Sequence, residues 1–229
     1  MQVEHVNADV LFSVELPLEA IKKLMDDAGV SKAAVCTTTQ FIKQLEPMIK
    51  QLESAGIGTV IFQGRHTRKP GQVLGCDAPI IKNDDADCFI YVGDGFFHPN
   101  EMLLHNEKPV IAYDPFTKAL EILDPSDVER IKRLKKGALL RFHTSKSIGV
   151  IVSLKPGQLF FRQSLKLEEV YPDKTFHYIV FNTIEFFQMD NFNFVECWVN
   201  TACSRIGVDD LDKFRKPVVN LEDVLHDFK

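Results

Sequence analysis

Two hydrophobic periods alternate along the chain: short continuous apolar runs, and longer segments whose apolar positions recur three or four residues apart. Residues 32–38 (KAAVCTT) read as a buried strand. Residues 40–55 follow as a helix, with Phe41, Leu45, Met48, Ile49 and Leu52 on one face. Gly56 and Gly58 stop it, and residues 59–62 predict a second strand. Residues 87–92 (DCFIYV) predict a third strand, 101–105 a short helix and 109–113 (PVIAY) a fourth strand. Continuous apolar strands separated by helices predict a parallel sheet covered on both faces.

A second round of the same pattern follows. Ser126 or Asp127 can cap a helix running toward Lys146. Strands are predicted at 148–152 (IGVIV), 177–181 (HYIVF) and 194–199 (FVECWV), with a terminal helix over 221–228. The expected fold class is therefore α/β, as two consecutive parallel-sheet domains over residues 28–125 and 126–229. Residues 9–15 (DVLFSVE) alternate like a strand but precede the first complete unit. Residues 1–27 are accordingly expected to be an edge strand or the remnant of an earlier domain. No sequence repeat is clear enough to align the two units.

Composition narrows the class. The 229 residues are 45% hydrophobic and 26% charged with a formal net charge of -5, ordinary for a globular protein. That balance argues against direct nucleic-acid binding, which usually needs a basic face. Charges or prolines interrupt every apolar run before it reaches membrane-spanning length. Glu4, His5 and Asp9 stand where a signal peptide would need a basic start and an apolar core, so a cytoplasmic location is expected. In that compartment the five cysteines should be thiols or metal ligands rather than disulfides.

Ligands of parallel α/β sheets bind at the carboxyl ends of strands, and four loops fit that position. Gly71 and Gly75 flank a segment ending at Cys76, which reads either as a thiol approached by a bulky ligand or as a buried thiol in a turn. Gly93, Asp94 and Gly95 follow the third strand, where backbone amides can meet a carboxylate or phosphate, and His98 is either an acid–base group or paired with backbone. Ser153, Lys155 and Gln158 follow strand 148–152, and Lys155 could hold a ligand carboxylate or be solvated in a Pro-Gly turn. Cys203, among small polar residues after the last strong strand, makes an accessible thiolate site. Cys36, Cys88 and Cys197 lie within apolar strands and read as packing residues.

The segments GQVLGCD, IYVGDGFFHP, VSLKPGQ and WVNTACSRIGVDD resemble, in order and approximate spacing, the signature segments of the diphthamide synthesis family. These are the 2-(3-amino-3-carboxypropyl)histidine synthases of archaea and eukaryotes. The resemblance runs from about residue 9 onward. It implies three similar α/β domains in pseudo-threefold arrangement, each giving one cysteine to a [4Fe–4S] cluster that binds S-adenosylmethionine. It implies reductive cleavage to methylthioadenosine, with transfer of the 3-amino-3-carboxypropyl group to a histidine of translation elongation factor 2. By position, Cys76 and Cys203 match the cluster cysteines of the second and third domains, and their sulfurs should share one cleft. Gly93, Asp94, Gly95, Ser153, Lys155 and Gln158 fall in family loops near the cofactor, and no catalytic side chain is assigned.

The first domain and its cysteine are not recognisable in the chain. The resemblance therefore leaves three readings: a truncated synthase, a short homologue completed by a partner subunit, or a non-catalytic scaffold for an active synthase. Expected partners are the elongation factor, an electron donor, and a second subunit in a homo- or heterodimer.

Overall fold

The computed structural model describes residues 8–64, 67–75, 85–155 and 158–225. The chain divides into two compact units, Met1–Glu129 and Arg130–Lys229. Each is built on its own sheet.

In the first unit β1 (Lys32–Thr37), β2 (Gly58–Val60), β3 (Cys88–Val92) and β4 (Val110–Tyr113) are parallel. β5 (Leu120–Leu123) adds antiparallel at the edge, giving the order β2-β1-β3-β4-β5. β3 and β4 are buried along their whole length, which explains their unbroken apolar sequence. The predicted helix over 40–55 starts as a 3₁₀ stretch, Thr39–Gln44, and continues as α2 (Leu45–Ser54) with Leu45, Met48 and Leu52 buried. α3 (Phe97–His105) starts earlier than expected.

The reading of the N-terminal segment needs correction. Residues 9–15 form no strand. The Gln51 side chain of α2 occupies the backbone groups that a ladder would use: its Nε2 donates to Val14 O at 2.9 Å and its Oε1 accepts from Leu16 N at 2.9 Å. Residues 18–27 are α1 (Leu18–Asp27), which buries Ile21 and Met25 in the same core as Phe41, Met48 and Leu52. The segment thus packs as part of the first unit. The i, i+4 pair Ile21/Met25 was the helical signal.

In the second unit α4 (Glu129–Thr144) precedes β6 (Ser147–Ser153). The predicted cap at Ser126 or Asp127 falls instead inside a 3₁₀ turn (Pro125–Val128) leading into α4; Asp124 caps that turn, its side chain accepting from Ser126 N while Asp127 reaches back to its backbone. α5 (Phe161–Ser164) and α6 (Lys166–Val170) lead to β7 (Thr175–Phe181). β8 (Cys197–Asn200), α7 (Ile206–Asp209), β9 (Val218–Asn220) and α8 (Leu221–Val224) complete the unit. The sheet is parallel throughout, in the order β7-β6-β8-β9. β8 begins later than the expected 194–199 run, because Val195 N turns back to Phe192 O and Phe194 is exposed. Residues 226–228 of the expected terminal helix lie outside the described residues.

Both sheets therefore place their first strand between the second and the third. In each, the chain leaves the first strand toward one side and returns on the other. The crevice of such a sheet opens at the carboxyl ends of that first strand and the third. Among the described residues no helix is long and apolar enough to cross a membrane.

Candidate functional site

In the first unit the crevice lies over β1 and β3. Thr37 closes β1 and its Oγ1 donates to Val92 O of β3 at 2.6 Å, tying the two strand ends together. The glycine loop that leads to Cys76 is stitched to the same place. Thr37 N donates to Gly71 O at 2.8 Å, and Val73 N donates to Thr37 O at 2.9 Å. Gly71 sits at φ 72° with Leu45 where a side chain would go, so only glycine fits without strain. A Cβ on Gly75 would run into the Phe97 ring. These contacts bring Val73, Leu74 and Gly75 to the crevice; Cys76 itself lies outside the described residues.

Across from that loop are Gly93, Asp94 and Gly95. Gly93 N donates to Tyr113 O at 3.0 Å, and Gln40 Nε2 donates to Asp94 Oδ1 at 3.0 Å. The Tyr91 hydroxyl lies 3.3 Å from Asp94 O and 3.3 Å from His98 Nδ1, with the two rings stacked. Burial pushes the Tyr91 hydroxyl far above its ordinary range, which keeps it a proton donor. Between the loops is a cavity of about 410 Å³ lined by Ala8, Thr38, Thr39, Gln40, Val73, Leu74, Gly75, Asp94 and His98. Thr38 Oγ1 is a buried side-chain polar atom with no hydrogen-bond partner among the described residues. Thr38, Thr39 and Gln40 were not foreseen as site residues. Their position just after a buried strand was the available signal.

In the second unit the crevice lies over β6 and β8. Ser153 is buried at the end of β6 and its Oγ accepts from Lys155 N at 3.1 Å; Gln158 N donates to Lys155 O at 3.1 Å. Lys155 is exposed and Gln158 partly buried. The neighbouring loop carries Cys203, a free and partly exposed thiol. Its backbone is held by two buried asparagines. Asn200 Nδ2 donates to Cys203 O at 2.9 Å and to Asn220 Oδ1 at 2.7 Å, while Asn200 Oδ1 accepts from Ala202 N at 3.0 Å. Asn220 Nδ2 donates in turn to Ser204 O at 2.9 Å. Ser153, Lys155 and Gln158 thus follow β6 and Cys203 follows β8, its neighbour in the sheet.

The other described cysteines are different in kind. Cys36, Cys88 and Cys197 are buried. Burial raises all three thiols, Cys88 and Cys197 to about 12. They are packing residues, as expected. Among the described residues no three His, Cys, Asp or Glu side chains are grouped to hold a metal ion.

Fold and site define an α/β protein of mainly parallel sheets with a ligand-sized cavity in one unit and a partly exposed, fixed thiol in the other. The chain belongs to the diphthamide synthesis protein family, whose model matches residues 1–225. It is 34% identical over 196 residues to a 2-(3-amino-3-carboxypropyl)histidine synthase of Pyrococcus horikoshii, covering 84% of this chain and 56% of that protein. Subunit 1 of the corresponding synthase of Schizosaccharomyces pombe is 26% identical over 218 residues, covering 91% of this chain and 49% of that one. The crystal structure of Dph2 from Pyrococcus horikoshii with a 4Fe-4S cluster superposes with a TM-score of 0.73 at 32% identity, covering 90% of this chain and 60% of that one. The chain spans about half the length of the curated relatives it matches.

Proposed function

We propose that this chain serves in iron–sulfur, S-adenosylmethionine-dependent transfer of a 3-amino-3-carboxypropyl group to a histidine of translation elongation factor 2. Methylthioadenosine is the second product. The observation that carries this reading is the Cys203 loop: a partly exposed thiol whose backbone is fixed by Asn200 and Asn220 at a strand-end crevice. Its donor chemistry fits one ligand of a [4Fe–4S] cluster, a soft thiolate open on one side. The cluster, when bound, supplies the one-electron reduction of the sulfonium co-substrate.

The chain's own residues would position and exclude. Cys203 and Cys76 are the proposed ligands. Asn200 and Asn220 hold the Cys203 loop, so that little ordering remains to be done on binding. Lys155, exposed after β6, is the cation available to a carboxylate. Gly93, Asp94 and Gly95 present backbone and a carboxylate at the other crevice. The electron donor and the elongation factor are partner proteins in this reading.

The test is anaerobic reconstitution, alone and with a longer synthase subunit, followed by iron and acid-labile sulfide analysis and chromatography for methylthioadenosine. Cluster absorbance that falls in both Cys203→Ala and Cys76→Ala is expected. Failure to take up iron under either condition would sink the reading. Cluster uptake with no methylthioadenosine would favour a supporting subunit of an active synthase.

A further inference from the structure

We infer that the outward face of α4 and the outer edge of β5 are the two halves of a self-association surface, the α4 of one copy of this chain docking on the β5 edge of a second copy. Charge is divided unevenly along the sequence. Residues 1–129 hold 20 of the 32 acidic residues and 11 of the 27 basic ones, so the first unit is acidic and the second basic. The contrast is sharpest at the junction. Residues 120–129 carry four acids and no base, while residues 130–141 carry six bases and no acid.

A helix face that meets only water is more stable with acids set among its bases. In α4, Lys132 and Lys136 stand four apart and Arg133 and Lys136 three apart, spacings at which like charges repel and oppose the helix. Two bases of α4 pair within their own unit: Arg130 with Asp212 at 2.8 Å and Lys135 with Asp223 at 3.2 Å. Arg133 and Lys136 are exposed between and beside them. Leu140, 61% exposed, continues the face of Arg133 and Lys136 at the i+7 and i+4 positions. An apolar centre with a charged rim is the anatomy of a protein interface.

β5 offers the complement. It is the last strand of the first sheet, with Glu121 exposed and Ile122 beside it 38% exposed. Asp124 and Asp127 follow in an exposed turn. Glu121 discourages strand addition at this edge, so a basic helix is the element that fits it. The acidic and basic blocks are consecutive in the chain. A two-fold axis near their junction therefore pairs acid with base in both directions and makes the contact twice. A long nucleic acid fits α4 less well, because the acidic first unit repels a polyanion that extends beyond the helix.

Self-association by these faces does not depend on the proposed function. Sedimentation equilibrium of the full chain at about 50 mM and about 500 mM sodium chloride tests it. A dimer is expected at low salt, with its dissociation constant raised about tenfold or more at high salt. Arg133→Glu combined with Lys136→Glu should weaken the dimer about tenfold or more, and Lys136→Glu or Glu121→Lys alone several-fold, all with unchanged circular dichroism. An equimolar mixture of Lys136→Glu and Glu121→Lys should dimerise more tightly than either variant alone. Each mixed pair keeps one native contact and has one in which the charges are exchanged.

A monomer at both salt concentrations, a dimer indifferent to salt, variants that dimerise like the parent chain, or a mixture no tighter than its components overturns the inference. So does a monomeric chain that binds fluorescein-labelled polyuridylic acid and loses that affinity in Arg133→Glu with Lys136→Glu; the basic helix is then a nucleic-acid surface.

Discussion

The two units share a floor and differ at the roof. At the amino end of the first unit, the Asp87 carboxylate just before β3 accepts from Ser31 N at 3.0 Å and Lys32 N at 2.9 Å. At the amino end of the second, the Glu196 carboxylate just before β8 accepts from Lys146 N at 2.6 Å and Ser147 N at 3.0 Å. A buried cysteine follows each, Cys88 and Cys197, paired in register with Ala33 and Ile148. This is an internal repeat hidden in the sequence, because only an acidic residue and a cysteine mark it. At the carboxyl ends the units diverge. A threonine staples first strand to third in both at 2.6 Å, but from opposite sides: Thr37 of β1 to Val92 O, and Thr201 after β8 to Ile151 O. Above the staple the first unit opens into a cavity with an unpaired hydroxyl, while the second closes around a fixed thiol loop. The amino end, which holds strands together, is built once and reused; the carboxyl end is built twice.

The comparison breaks most visibly in thiol chemistry. Under native conditions at pH 8, iodoacetamide should label Cys203 orders of magnitude faster than Cys36, Cys88 and Cys197, because those three are buried and raised in pKa. Peptide mass mapping over time checks it, and comparable labelling of Cys197 would remove the distinction between floor and roof thiols.

A smaller effect concerns the roof itself. Asn200→Ala strands the Ala202 amide and one side of Asn220, and should cost about 2–3 kcal/mol in urea unfolding. Asp94→Ala, in an exposed loop, should stay within about 0.5 kcal/mol. Equal losses would mean that both crevices are held by the same kind of packing.

The smallest effect lies in the floor. Backbone amides of Ser147 and Lys146 hold Glu196 below its ordinary value of 4.5, and those of Ser31 and Lys32 hold Asp87 below 3.8. A lowered pKa contributes stability that is present above the ordinary value and is lost as pH falls through the folded value. Glu196→Gln and Asp87→Asn should therefore flatten the loss of stability on acidification, each alike, because stability falls at pH 7 while it changes little at the acid end. Thermal unfolding across pH 2.5–7 measures this, and flattening in one unit alone would argue against the shared device.

Sequence made the sheets legible where strands were buried on both faces, since β1, β3, β4 and β6 are continuous apolar runs. β5 escaped notice because its Leu-Glu-Ile-Leu lies at a half-exposed edge, and β9 because three residues carry too little pattern. The candidate loops were legible from their place after strands and from family segments. Their supports were not: Asn220 reaches Asn200 across twenty positions and Thr37 reaches Val92 across fifty-five, separations no local period encodes.

The Gln51 amide that clasps residues 14–16 has one further consequence. A strand neighbour offers a repeating row of donors and acceptors, so pairing can spread or slip by a register. A single side-chain amide offers one of each and then ends. The N-terminal arm is thereby locked at one position, and the two backbone groups that Gln51 occupies are withheld from any other chain as a template for growth.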